Sequence, residues 1–526
     1  MADLLGAFSL ASDLAMGLQA EHGVRSCYVG MCIADELRLP DEQRVHLYYT
    51  ELLKDAGCTT WTSQLATSWL VDELAAKRDL QFFRNVQNPV DVVAWLAKYV
   101  AAGMPVATRA SRFVDFFAHG KEFMREGFES TCQVATRIAK RLGMPQPVQD
   151  ALMQVFEQWD GRGMPSGSRR DSIPVVSRIV LLTSFLEVFH RVEGREGARR
   201  IALARRGKAF DPEVVDAFLS AAQRESFWKG LEDQRVADAV ASMEPEGSPY
   251  RYLGEEKLID VAMALADYAD MKSPYLLGRS RRVAELSEGI CRRMSLAERQ
   301  VSTITLAALT HDIGIVAVPS FVLNKPDDQR TSVEREEVRL HAYHSQRILS
   351  KVPALEPASQ LVAAHHERID GSGYHRGLSG FQIPLGARII AVADRFDELC
   401  HDTPEGPAVD ADAAVNAIRQ EAGTRFAPEA VDALVASLGG LEQAPRQKAR
   451  RQERPAGLTE REVEVLRLAA GGMNRKQMAK VLFLSEGTVR SHLEHIYGKI
   501  GVSNRSAATL YAMEHDLLAK NPTFVR

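Results

Sequence analysis

The chain has 526 residues, of which 45% are hydrophobic and 25% are charged, as in ordinary globular proteins. This length exceeds what a single hydrophobic core serves, so it predicts three or four domains. The formal net charge of -4 excludes a molecule that is basic throughout, and any surface for nucleic acid must therefore be local.

The cysteine and hydropathy patterns predict a cytoplasmic protein without a membrane partner. The six cysteines are scattered and form no C-x-x-C pair, which is typical of reduced thiols. No apolar run approaches the ~20 residues that a membrane span needs. The first apolar stretch contains Asp3 and Asp13 and has no basic lead-in, unlike a signal peptide.

An internal repeat of large period organises most of the chain. The segment EQWDGRGMPSGSRRDSIPVVSRI, from Glu157, matches ERIDGSGYHRGLSGFQIPLGARI, from Glu367, with 210 residues between equivalent positions. A later match joins GKAFDPEVVDAF to GTRFAPEAVDAL, and an earlier one joins LLKDAGC, around Asp55, to ALTHDIGI, around Asp312. Apolar residues at i, i+3, i+4 and i+7 predict helices in both copies. We therefore expect an all-α protein in which two copies of one helical domain occupy residues 1–225 and 250–440.

A group of metal-type ligands lies between residues 276 and 401, in the second copy. Its members are His311, Asp312, His341, His365, His366 and Asp394. Imidazole nitrogens together with a bridging carboxylate are the ligands of iron, manganese or zinc. Two such ions sharing Asp312 would activate a water molecule to attack phosphorus. The sequence therefore predicts a divalent metal site, whereas a single buried histidine would normally be a core residue.

The same residues carry a resemblance to the HD-GYP family of the HD phosphohydrolase superfamily. The matching motifs are HDIG at His311, the spacing to His341, HHERIDGSGY at His365 and VAD at Asp394. The resemblance covers roughly residues 250–435 and implies hydrolysis of cyclic di-GMP at a centre of two or three metals. It also implies catalytic roles for Asp312 and for Arg368, which stands where the family has a positive group near its active-site loop.

Three departures from the family pattern fall at the site itself. Arg279 stands where the family has a ligand histidine, and a guanidinium cannot bind a metal. Ile315 replaces a lysine near the phosphate, and His375 replaces the proline of the GYP triplet. These departures favour a metal-binding sensor over a fully active enzyme, and they allow a substrate other than cyclic di-GMP.

The first copy has lost more of the motif. Lys54 replaces the motif histidine, Val155 and Phe156 replace the histidine pair, and Ser184 replaces the last aspartate. His22 occupies the position equivalent to Arg279. We predict a non-catalytic domain, with ligand binding, dimerisation or completion of the other copy's site as open roles.

Residues 441–456 are predicted to be a linker. The segment QAPRQKARRQER, at 443–454, is strongly basic and has almost no apolar residues. A solvated charge run and a contact with DNA phosphates are both compatible with this composition.

Residues 457–526 predict a helix-turn-helix domain. Thr459 and Glu462 form a capping box at the start of a helix that Gly-Gly ends at 471–472. A second helix is predicted at residues 476–482, and Ser485 caps a third at 486–499. A short helix, a tight turn and a longer amphipathic helix are the layout in which the last helix enters the major groove.

The predicted DNA contacts follow from this layout. Arg490 can fork onto a guanine or a phosphate, and Lys499 can reach the DNA backbone. The full set that we expect at the DNA is Thr488, Arg490, Ser491, Glu494, Lys499, Asn504 and Arg505.

The tail resembles the LuxR-type (GerE) output domain through LTEREVEVL, NRKQMAKVLFLSEGTVRSHLEHIYGKIGV and the Asn-Arg pair at 504–505. The resemblance covers the whole tail and implies a four-helix domain that binds double-stranded DNA as a homodimer. Glu494 departs from the family, whose members often carry a basic residue there.

Three functions are compatible with these observations. The first is a transcriptional regulator whose HD-GYP-like domain binds a metal and a nucleotide, such as a cyclic dinucleotide. The second is an active metal-dependent phosphodiesterase that carries a DNA-binding domain. The third is a scaffold with two inert copies, against which the retained histidine pair at 365–366 argues.

Overall fold

A computed structural model of the chain describes residues 1–60, 62–69, 72–82, 89–102, 104–246, 248, 250, 254–443 and 454–518. Across these ranges the secondary structure is helical, with three isolated β-bridges and no β-strand, which confirms the all-α prediction. The chain divides into two compact units, one of Met1–Val261 with Pro319–Phe321 and the other of Ala262–Val318 with Val322–Arg526.

The first part of the chain forms α1 to α12 and one short 3-10 helix at Arg170–Ser172. The α-helices are α1 (Ala2–Ala15), α2 (His22–Glu36), α3 (Asp41–Leu53), α4 (Thr62–Trp69), α5 (Glu73–Phe82), α6 (Pro89–Tyr99), α7 (Val106–Arg141), α8 (Gln146–Leu152), α9 (Val175–Arg205), α10 (Pro212–Ala221), α11 (Glu225–Glu232) and α12 (Val236–Ser242).

The second part forms α13 to α22, with short 3-10 helices between them. The α-helices are α13 (Glu255–Asp270), α14 (Arg279–Arg293), α15 (Glu298–Thr310), α16 (Ser320–Leu323), α17 (Ser332–Arg339), α18 (His341–Leu349), α19 (Glu356–Val362), α20 (Leu385–Cys400), α21 (Ala411–Glu421) and α22 (Pro428–Gln443). The 3-10 helices are Ile313–Ala317, Asp327–Gln329, Pro353–Leu355 and Gly380–Gln382.

Local sequence explains where these helices begin and which face they bury. The Thr331 hydroxyl accepts a hydrogen bond from the backbone N–H of Glu334, and this capping box starts α17. On α14, Val283 and Ile290 are seven residues apart and both fully buried, whereas the arginines of its last turn lie outward. The 3.6-residue period therefore turns an arginine-rich segment into a helix with one apolar face.

The two copies share the conformation of one loop. Gly161 and Gly371 occupy equivalent positions, and both adopt a positive φ, of 83° and 79°. The buried carboxylate of Glu157 accepts hydrogen bonds from the backbone N–H groups of residues 166 and 167. Glu367 does the same for residues 376 and 378. The sequence repeat is therefore also a repeat of backbone structure.

The tail forms α23 (Glu460–Ala470), α24 (Arg475–Leu482), α25 (Glu486–Ile500) and α26 (Arg505–Glu514), preceded by a 3-10 helix at Pro455–Gly457. The capping box at Thr459 and the cap at Ser485 are formed as predicted. The capping box of Asn474 and Gln477 starts α24 at residue 475, one residue before the predicted start.

These four helices share one hydrophobic cluster. Val489 and Ile496 of α25 are fully buried in it, and Leu493 packs against it partly exposed. Leu466 of α23 and Ala512 of α26 are also fully buried there. Burying each of the larger side chains contributes about 1.5–3 kcal/mol, so this cluster holds α25 in a fixed orientation.

Two further predictions concern the linker and membranes. Residues 444–453 of the predicted linker lie outside the described residues, and α22 runs three residues past the predicted domain end at 440. Among the helices of the described ranges, none is both long and apolar enough to cross a membrane. All six cysteines are free thiols, and four of them are buried.

Candidate metal centre and DNA-binding helix

Three histidines are oriented by the backbone of the helix that precedes each of them. His311 follows α15, and its Nδ1 lies 2.7 Å from the carbonyl oxygen of Ala308. His365 follows α19, and its Nδ1 lies 2.6 Å from the oxygen of Val362. His341 makes the same contact with the residue three positions before it. A ring whose Nδ1–H donates to a carbonyl presents the lone pair of Nε2, which is the usual arrangement of a metal-binding histidine.

The Nε2 atoms of His341, His365 and His366 meet the carboxylate of Asp312. Oδ1 of Asp312 lies 3.2 Å from His341 and 3.7 Å from His365. Nε2 of His341 lies 3.4 Å from that of His365 and 3.1 Å from that of His366. All four ligand atoms lie within 4.8 Å of one another. Ligands ~2.1 Å from one metal ion stand about 3.0–3.4 Å apart, so this donor set fits a divalent transition metal.

Burial and neighbouring charges shift the pKa values of these groups toward the protonation states that bind a metal cation. Burial alone would raise the pKa of Asp312, but the neighbouring charge of His311 and hydrogen bonds from the histidines hold it well below its usual range. Burial lowers the pKa of His365 and of His366, whose pKa the nearby imidazoles lower further. An ionised carboxylate and neutral imidazoles are the protonation states that bind a metal.

Arg279 lies beside this group and pairs with Asp394. Its Nε and Nη2 lie 3.0 and 2.7 Å from Oδ1 of Asp394, and its Nε lies 3.9 Å from Asp312. Burial opposes its charge, but the carboxylates of Asp394 and Asp312 raise its pKa above the usual value. Nε2 of His311 lies 3.3 Å from Asp312 and 3.4 Å from Asp394. The guanidinium thus neutralises the two carboxylates on the side away from the histidine pair.

Arg368 lies at the edge of the site rather than among the ligands. Its guanidinium stacks over the ring of Phe426 at 4.9 Å and donates to the carbonyl oxygen of Glu367. Burial lowers its pKa, and the nearby Arg425 lowers it further. Both of its backbone contacts, to Glu367 and to His365, are made by Nη1, so the rest of the guanidinium can meet an anionic ligand at this edge.

Tyr374 is a site residue that the sequence reasoning missed. Its ring stacks on His366, with centroids 4.8 Å apart and planes at 26°. Burial raises the pKa of its hydroxyl well above the usual value, and the side chain covers the outer face of the histidine pair. Its place in the SGYH segment, directly after the motif glycines, was the available signal.

The structure separates the predicted DNA contacts into exposed and tethered residues. Thr488, Arg490, Ser491 and Glu494 are exposed on α25. Arg490 Nε donates to Glu494 Oε1 at 2.8 Å. Arg490, which we predict to contact a base, is therefore already paired with a carboxylate on its own helix. Four neighbouring exposed polar residues on one helix provide a surface for the edges of base pairs.

Two of the other three predicted contacts have roles inside the domain. Lys499 Nζ lies 2.7 Å from Glu462 and 3.2 Å from the carbonyl oxygen of Gly457. Asn504 caps α26 by accepting a hydrogen bond from the N–H of Ala507. Arg505 is half-buried, and burial lowers its pKa. Lys499 and Asn504 therefore help to hold the domain together.

Comparison with known families identifies both modules. Residues 263–430 match the HD domain family, and residues 456–512 match the family described as bacterial regulatory proteins, luxR family. The predicted fold class, two tandem HD-type helical domains followed by a LuxR-type helix-turn-helix domain, is confirmed.

Relatives of the HD part are cyclic dinucleotide phosphodiesterases. The chain is 29% identical over 442 residues to the 3'3'-cGAMP-specific phosphodiesterase 3 of Vibrio cholerae, covering 84% of this chain and 95% of the relative. It is 37% identical over 202 residues to the cyclic di-GMP phosphodiesterase response regulator RpfG of Xanthomonas campestris, covering 38% and 52%.

A solved structure resembles the same portion of the chain. The crystal structure of a cyclic GMP-AMP specific phosphodiesterase of V. cholerae, V-cGAP3, matches with a TM-score of 0.59 and 26% identity. The match covers 84% of this chain and 97% of that structure. A match of this extent spans much more than the HD domain at 263–430 alone.

Proposed function

Because this chain joins an HD domain with HD-GYP phosphodiesterase relatives to a C-terminal LuxR-family domain, we propose that it is a DNA-binding transcriptional regulator whose HD domain binds a divalent metal and a cyclic dinucleotide. The observation that carries the proposal is the presence of an oriented metal-ligand cluster and an exposed polar recognition helix in one chain. Cytoplasmic location and DNA binding as a homodimer remain predictions.

We infer that the site holds one metal ion rather than two. Asp312, His341, His365 and His366 form the candidate ligand set, and iron, manganese or zinc suits it. The guanidinium of Arg279 supplies a fixed positive charge beside Asp394, where a second cation would otherwise be needed. Two carboxylates that are already neutralised by a buried arginine have less to gain from another cation.

A bound metal would act as a Lewis acid toward a phosphoryl oxygen and lower the pKa of a bound water. The residues of the chain would do the rest. Arg279 holds Asp394 in place through two hydrogen bonds to one oxygen. Arg368 stands at the edge of the site as a donor for a phosphate, and Tyr374 shields the histidine pair from water. This arrangement supports tight binding of an anionic nucleotide.

Metal content per chain tests the site. We expect about one ion per chain in the wild type, measured by elemental analysis of the full-length protein. Replacing His365 and His366 together by alanine should remove most of it, whereas His344→Ala, on α18 outside the cluster, should not. Arg279→His should raise the content toward two. Equal metal in the wild type and the double variant would refute the site.

Fluorescence anisotropy with a selected operator tests the regulator. Arg490→Ala should weaken binding by about 1–3 kcal/mol if Arg490 reads a base. Arg419→Ala, on α21 of the HD domain, is the control. Adding metal and a cyclic dinucleotide should change the operator affinity of the wild type. If neither the metal nor the cyclic dinucleotide changes the operator affinity, the protein binds DNA without control by these ligands.

An active cyclic dinucleotide phosphodiesterase is the second candidate. It is favoured by the relative that covers most of this chain and by the retained Asp312 and histidines. The test is hydrolysis of 3'3'-cGAMP and cyclic di-GMP by the metal-loaded protein. Turnover that His365→Ala abolishes would make the protein an enzyme with a DNA-binding domain. Binding of the nucleotide without turnover would favour the sensor.

A further inference from the structure

The first copy contains a cavity at the place of the lost active site. The cavity measures about 280 Å³ and lies within the described part of the first unit. Its lining includes Lys54, Asp55, Phe156 and Ser184. These positions are equivalent to the HD pair, the second histidine and the last aspartate of the second copy. The place that corresponds to the metal site of the second copy is therefore a cavity large enough for a small organic molecule, and packed side chains do not fill it.

Most of the wall is apolar. Phe156, at the position of a metal-binding histidine, packs against Phe128 with ring centroids 4.8 Å apart. Met16, Met124 and Phe185 also line the cavity. Aromatic and methionine side chains form adaptable walls for a flat apolar body.

The lining of the cavity also includes two polar side chains that can accept hydrogen bonds, those of His22 and Asp55. His22 is buried, and its Nδ1 is hydrogen-bonded to the carboxylate of Glu187. With Nδ1–H donating to Glu187, Nε2 can accept a hydrogen bond when the ring is neutral, and it has no hydrogen-bond partner among the described residues. Among the described residues, the carboxylate of Asp55 has one hydrogen-bond contact, from the thiol of Cys58 with Sγ at 3.6 Å.

The cations that line the cavity are already engaged. Lys54 Nζ lies 3.2 Å from Glu51, and Lys77 Nζ lies 2.6 Å from the carbonyl oxygen of Cys58. Arg162 Nε lies 3.7 Å from Asp160. A buried acceptor without a donor is destabilising, so Nε2 of His22 favours a ligand that brings an N–H donor.

We propose that this cavity binds a small, flat, largely apolar molecule whose polar end carries an N–H donor. The ring lies between the phenylalanine and methionine side chains, and the N–H donates to Asp55 or to Nε2 of His22. Lys54 and Phe156 stand at the positions of His311 and His366, and neither an ammonium nor a phenyl ring can bind a metal ion there. The ligand site is distinct from the metal cluster of the second copy, and it gives the protein a second chemical input.

Indole and benzofuran are the probes, because they share a shape and differ in having an N–H donor or an oxygen acceptor. Each is titrated by calorimetry into the full-length protein. We expect indole to bind at least tenfold more tightly than benzofuran. Ser184→Met, which extends a side chain into the cavity, should abolish binding of both.

Asp55→Asn keeps the shape of the side chain and should weaken the binding of indole at least fivefold. This variant tests the site even if Ser184→Met disturbs folding. Asp150→Asn, an exposed change on α8, is the matched control and should leave the affinity unchanged. Equal affinity for the two probes would overturn donor recognition. Absence of indole binding up to its solubility limit, or binding that survives in both cavity variants, would overturn the site.

Discussion

The pair of Arg279 and Asp394 makes the sharpest prediction about the metal centre. Arg279→Met keeps the length of the side chain and removes its charge. Asp394 is buried, and without Arg279 it would keep the imidazole of His311, whose Nε2 lies 3.4 Å away. Burial opposes ionisation of Asp394, but the charge of Arg279 holds its pKa below the usual range, so the pair is ionised at neutral pH.

The magnitude follows from the contact distances. Guanidinium nitrogens lie 2.7 and 3.0 Å from one carboxylate oxygen, which places the charge centres about 4 Å apart. At an effective dielectric constant of about 20, the Coulomb energy is about 4 kcal/mol. Removing one member of a buried pair typically costs about 3–5 kcal/mol, which agrees with this value.

Hydrogen exchange of the full-length, chelator-treated protein measures the effect locally, because a chain of several domains does not unfold in one step. In peptides from α14 and α20, Arg279→Met should lower the free energy of opening by about 3–5 kcal/mol. Adding Asp394→Asn should recover much of this loss. The matched pair is Arg282 and Asp397, one turn further along the same two helices, with contacts of 2.6 and 3.0 Å.

A coupling energy below about 1 kcal/mol between Arg279 and Asp394, together with a clearly larger one between Arg282 and Asp397, would refute the reasoning. It would mean that Arg279 does not neutralise the carboxylates, and that the argument for a single metal ion loses its basis.

Three further predictions concern the tail and the metal site. Glu494→Gln removes an anion from α25 and releases Arg490, so we expect operator affinity to rise severalfold in anisotropy titrations at low salt; unchanged affinity would place this pair away from DNA. Burial alone would raise the pKa of Glu462, but hydrogen bonds from Lys499 and from the 459 backbone lower it from 4.5 to about 2. The ionised carboxylate of Glu462 therefore contributes at most about 3 kcal/mol to the free energy of unfolding above pH 4.5, and this contribution is lost as the pH falls toward 2. The difference in melting temperature between wild type and Glu462→Gln should disappear at pH 2, and a constant difference would contradict this. A Cβ at Gly314 would lie 2.2 Å from the carbonyl oxygen of His341, so Gly314→Ala should shift α18 and lower metal content in elemental analysis; wild-type metal content would count against this contact.

The sequence by itself determined the helical class and most of the tail. The caps at Thr459 and Ser485 act through the backbone N–H groups of the next three residues, so their effect is readable from adjacent letters. The buried positions of Val489 and Ile496 follow from the helical period in the same way. The repeat was also legible, because both copies keep the same turn residues at one separation.

The sequence named the metal-type residues but did not group them. It proposed six ligands, and the fold brings Asp312, His341, His365 and His366 into one cluster. His311 lies beside them, and Asp394 is held by Arg279. Which histidine meets which carboxylate depends on how α15, α18, α19 and α20 pack, and no local pattern encodes that.

Only the tertiary structure decided the roles of several charged or polar side chains. The sequence predicts that Lys499 reaches DNA, and the structure adds an intramolecular role, because the packing of α25 near the start of α23 places its amine beside Glu462. The cavity around Asp55 also emerges only in the fold, because residues from α2, α7 and α9 surround it. Periodicity and capping act over three or four residues and are written in the sequence. Arg279 and Asp394, like His22 and Glu187, lie more than 100 positions apart in the sequence, so only the packing of the helices brings such partners together.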